Sequence, residues 1–132
     1  MVLYLPWKTF SEFEQNLRAL IRTEASHAST PIPFLHCQHP MTRALLNQRH
    51  WQPFLSHLEL LLIHDPEDLL YLLKSLGFRK KLGGKNIIIL SPYAHLLEGL
   101  SLRSEKEWVE NLQREIAKLE EKYTIHVVVA EN

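Results

Sequence analysis

The chain has 132 residues, is 45% hydrophobic and 23% charged, and balances 15 Lys and Arg against 15 Asp and Glu. That length suits one domain, residues 1–132, with a core of its own. The zero net charge excludes a global basic field for nucleic acid or an anionic membrane, and the lone cysteine excludes an internal disulfide.

No apolar run approaches the ~20 residues of a membrane span. The opening MVLYLPWKTF has no basic region and only a short apolar stretch, unlike a secretory signal. The expectation is a cytoplasmic protein with no membrane contact.

Five short apolar runs punctuate the chain: Val2–Pro6, Phe34–Cys37, Leu60–His64, Ile87–Leu90 and Ile125–Ala130. Val2–Leu5 reads as the first strand, closed by Pro6. A helix follows, with Thr9 or Ser11 as its cap and Phe10, Phe13, Leu17, Leu20 and Ile21 on one face. The stretch 24–33 (EASHASTPIP) reads as a loop. After the second strand, Pro40 permits a helix start, and Trp51-Gln-Pro53 interrupts the pattern that follows. Leu58–His64 is taken as a strand because a strong helix start comes next: Asp65 as cap, Pro66 in the first turn, Glu67 and Asp68 at the positive end of the dipole. Gly77 suits a left-handed helix terminus.

Ile87–Leu90 reads as a strand covered on both faces, ended by Ser91-Pro92. Residues 93–102 suit a short helix or an irregular excursion. Ser104-Glu-Lys-Glu107 has the form of a capping box for the longest helix, and Ile125–Val129 is the last strand. Strands alternating with helices specify a three-layer, doubly wound α/β domain with about five mostly parallel strands, in flavodoxin- or receiver-like order. Ligands of such sheets bind outside the carboxyl ends of the strands.

Residues with chemical potential gather at those ends. Cys37, five residues, then Arg43, between a strand and a helix, resembles the loop of cysteine-dependent phosphatases by its spacing. There a thiolate attacks phosphorus, while backbone N–H groups and the arginine hold the phosphate. The resemblance implies Cys37 as nucleophile and Arg43 as phosphate ligand. The sequence departs from the pattern at Pro40, which stands where that family's loop has a glycine, and at Ala44, where it has Ser or Thr.

Asp65 and Ser91, ending the third and fourth strands, are similar in kind to the phosphoacceptor and hydroxyl of receiver domains. The acidic pair after the first strand is absent, since that stretch reads Leu5-Pro-Trp-Lys-Thr9. The lysine after the fifth strand is absent as well. A P-loop NTPase that has lost its nucleotide site fits equally, because no G-x-x-x-x-G-K-S/T run exists. His27, His36, Cys37 and His39 are metal-ligand types without the separated pairs that zinc sites use, so no metal and no cofactor is expected.

Arg79, Lys80, Lys81 and Lys85 form a basic turn around Gly83 and Gly84, suited to an anion. Trp7 and Lys8, together with Trp51, are the candidate contacts for a partner. Each catalytic constellation lacks a part that its chemistry requires. The favoured reading is therefore a non-catalytic protein-interaction or adaptor subunit, on a degenerate receiver-like or nucleotide-fold scaffold, with a protein partner. The alternative is a phosphatase-like enzyme using Cys37 and Arg43. The third is a nucleic-acid-associated module using the turn at 79–85.

Overall fold

A computed structural model describes residues 1–26, 30–37, 39–79 and 86–130. Its strands are β1 (Val2–Trp7), β2 (Ile32–His36), β3 (Leu58–Leu62), β4 (Ile87–Leu90) and β5 (Thr124–Ala130). They form one parallel sheet in the order β1-β5-β4-β2-β3. Its helices are α1 (Phe10–Ala25), α2 (Pro40–Leu46), α3 (Gln52–Leu55), α4 (Pro66–Gly77) and α5 (Leu102–Leu119). Short 3-10 turns cover Arg49–Trp51 and Ala94–Leu97.

The three-layer α/β architecture expected from the sequence is present. The strand order differs from flavodoxin's 2-1-3-4-5 by a cyclic shift. Here β2, β3, β4 and β5 take the places of the first four flavodoxin strands, and β1 takes the fifth. The shift is invisible to local pattern, because it depends on where α1 delivers the chain. Right-handed crossovers then fix the layers. Moves from β1 to β2 and on to β3 run one way and place α1, α2 and α3 on one face. Moves from β3 to β4 to β5 run back and place α4 and α5 on the other.

Two cores result. Phe13, Leu17, Ile21, Phe34, Leu45, Trp51 and Ile89 fill the first face. Leu35, Ile63, Leu73, Ile88, Trp108, Leu112 and Val127 fill the second.

Local chemistry sets the boundaries. β2 starts at Ile32, two residues earlier than the apolar run suggests, and so contains Pro33. Ile32 N–H donates to His57 O and Leu35 O accepts from Ser91, so odd-numbered residues of β2 face β4. Pro33 has no N–H to offer there, and pairing with β4 is confined to Phe34 and Leu35.

Thr9 caps α1, accepting from Glu12 N at 3.2 Å. The cap of α5 is Ser101 rather than Ser104, and Ser104 N–H donates to it at 3.1 Å. Gly77 is the last residue of α4 and does not have the left-handed conformation. Among the described glycines only Gly99 has positive φ, at 88°.

Candidate functional site

β2 connects towards β3 and β4 connects the opposite way, so the crevice outside their carboxyl ends is the topological switch point of this sheet. β2 delivers His36 and Cys37 there, and β4 delivers Ser91 and Pro92. Pro40 occupies the first turn of α2, and His39 caps it, its Nδ1 accepting from Met41 N–H at 3.2 Å.

Among the described residues, the side chains at this crevice bond to one another and to nearby backbone. The Cys37 thiol, 5% exposed, donates to Pro92 O at 3.1 Å. Thr42 and Ser91 are both completely buried, with their hydroxyls 2.7 Å apart. His95 Nε2 donates to Cys37 O at 2.8 Å, which places its proton on that nitrogen. Trp7, His39 and His95 run as a row of rings in edge contact, with successive centroids 6.0 and 5.4 Å apart.

Electrostatics follow from this closure. Burial pushes the Cys37 thiol up to about 12. Burial also holds His36 below the usual imidazole range, and His39 lies low for the same reason and because His95 stands beside it. Such a thiol is the reverse of an activated nucleophile, which needs a depressed value.

Arg43 does not converge on Cys37. Successive helix residues point about 100° apart. α2 turns Thr42 inward to Ser91 and leaves Arg43 exposed. Two positions of the would-be phosphate loop have no free N–H to offer an anion: Pro40 has none, and the Met41 N–H is taken by His39.

The receiver-like pairing fails for a topological reason. β2 separates β3 from β4, so Asp65 and Ser91 do not end adjacent strands. Asp65 serves as a cap, accepting from Asp68 N–H at 2.7 Å. By sheet position, the strand that would carry an acidic pair is β2, and the residues described at its end are His36, Cys37 and His39. Among the described residues no group of three or more His, Cys, Asp or Glu side chains is placed to hold a metal ion. His27 lies outside the described residues.

Of the candidate contacts, Lys8 is exposed and Trp7 is half-buried against Phe13 at 5.6 Å. Trp51 is a correction. It is fully buried in the core on the α1 face, beside Phe54 at 5.0 Å, and offers no surface. The broken pattern around it is a 3-10 turn running into α3, which folds the ring inward.

Of the basic turn only Arg79 is described; Lys80, Lys81 and Lys85 lie outside the described residues. Arg79 is already committed to a bidentate pair with Glu59, at 2.6 and 2.9 Å. The pair holds the Glu59 carboxyl below the usual carboxylate range.

Sequence reasoning missed His95 and the Thr42–Ser91 bond. Their partners lie 58 and 49 residues away, and neither carries a local signature. No protein-family model matches the chain, and comparison with curated proteins finds no match either. Among the described residues no helix is long and apolar enough to cross a membrane.

Proposed function

We propose that this chain is a non-catalytic protein-interaction domain, an adaptor or complex subunit of the cytoplasm that binds another protein. The observation that carries the reading is the closed switch point. Where α/β enzymes keep an open crevice, Cys37, Thr42, Ser91 and His95 bond to one another and to nearby backbone. A scaffold without a working crevice retains its loops and edges as contact surfaces. Trp7 and Lys8 belong to that surface in this reading. Pro6 restrains the backbone before them, which lowers the ordering cost of a contact.

The experiment is paired. The purified chain is assayed on an aryl phosphate, and Cys37 is challenged with iodoacetamide near pH 8. The expected outcome is turnover at the level of the blank, with alkylation only in denaturant. Turnover by the wild type that disappears in Cys37→Ser overturns the reading in favour of the phosphatase.

A further inference from the structure

The two edges of the sheet are treated differently. On β1, Met1 O accepts from Ile125 N–H, so Val2, Tyr4 and Pro6 point their backbone groups away from the sheet. Pro6 has no N–H, and its carbonyl is taken by Asn16 Nδ2 at 3.1 Å. That edge is blunted at its carboxyl end.

On β3 the same accounting, among the described residues, leaves the outward groups open. Ile32 donates to His57 O and Ile63 donates to His36 O, so Leu58, Leu60 and Leu62 turn their N–H and C=O groups outward. Among the described residues nothing bonds to them. The strand reads LELLL, with no proline and no outward charge on the leucine side, and Leu60 is 44% exposed.

We infer that the β3 edge is the seat of a symmetric dimer, a second copy of this chain adding its own β3 antiparallel to the first. Two features of the edge select a second copy over any other strand. The first is self-complementarity. The antiparallel register of greatest overlap sets Leu60 against Leu60 on the two-fold axis and Leu58 against Leu62, joining both leucine rows on one face of a continuous sheet.

The second is charge. The start of β3 adjoins a groove of about 380 Å³ lined by Arg22, Phe54 and His57, while its end runs into Asp65, Glu67 and Asp68. Antiparallel pairing brings the basic end of each copy to the acidic end of the other. A parallel strand would set like against like. Two five-residue strands form a small interface, so the dimer is concentration-dependent.

The inference goes beyond the interaction reading, at a different surface of the sheet, and fails separately from it. An inert Cys37 with no dimer defeats only the edge assignment, whereas an active Cys37 defeats only the interaction reading. The test is sedimentation velocity over a concentration series, with amide exchange at Leu58 and Leu60. Leu60→Lys places a charge in the leucine row. Leu60→Pro removes an outward N–H that the native ladder does not use.

The expected result is a wild-type chain moving from monomer to dimer mass as concentration rises, its Leu60 amide gaining protection in step. Both variants stay monomeric, with unchanged circular dichroism. A wild type that is monomeric and unprotected throughout overturns the inference, as does a dimer that survives either folded variant. Protection of the edge by an unrelated extended peptide in a monomeric wild type assigns it to another chain and also overturns the inference. If both variants unfold, the wild-type exchange result decides.

Discussion

A thiol held at about 12 stays neutral over the whole physiological range, and two imidazoles held low by burial stay neutral beside it. Linkage turns these values into a stability profile. His36 and His39 have depressed values, so unfolded chains take up protons near 6.5 before folded ones do, and stability falls as pH drops through that region. Glu59, depressed by Arg79, extends the loss below 4.5. Cys37 is raised, so stability is full below 9.0 and declines from there towards about 12, where the raised Tyr93 adds to the loss. The thermal midpoint should therefore plateau between about pH 7 and 9 and fall on both sides. His39→Asn, which keeps a cap acceptor, should flatten the acid limb, and Cys37→Ala the alkaline one. Parallel limbs in wild type and variants, measured by differential scanning calorimetry, would contradict the assignment. None of this was legible from the residue types alone. The sequence offers Cys37 as a nucleophile only through its spacing from Arg43; the contacts that hold it, to Pro92 and beside His95, come from residues distant in sequence.

At the scale of elements, short-range signals were read well. Asp65, Pro66, Glu67 and Asp68 start α4 as their chemistry dictates, and Asp68 Oδ2 also accepts from His64 N–H at 2.9 Å. Asp65→Ala should cost about 0.5–2 kcal/mol of stability in urea unfolding, and Asp65→Ser should restore much of it. Equal losses from both substitutions would point to a role for the carboxylate beyond capping. Ile87–Leu90 was legible for the same local reason: a β-branched run between turn signals. The misreadings were cases in which a neighbouring element decides. Ser101 and Ser104 both fit a cap. Gly77 offers conformational freedom, but α4 continues through it, and Leu119 of α5 lies 3.6 Å from where a side chain would begin. Trp51 reads as exposed only if the segment around it is a loop rather than tight turns folded over α1.

For the whole molecule, alternation of strand and helix specified the layers but not which strand stands at the edge. Local pattern is the same for a sheet and its cyclic shift, and only the reach of α1 distinguishes them. That placement has a consequence in time. β1 bonds solely to β5, across almost the full length of the chain, whereas β2, β3 and β4 close much shorter loops. Long loops cost more entropy to close and form later. Leu5→Ala should cost about 2 kcal/mol, nearly all of it as faster unfolding, leaving the folding limb of the chevron unmoved. A slowed folding limb would place β1 in the nucleus and refute this order. During synthesis β1 leaves the ribosome well before the strand it needs, so Met1, Leu3 and Tyr4 spend that interval without a sheet to join. Pro6 lies within this waiting strand, where it hinders pairing with a stray neighbour before β5 arrives.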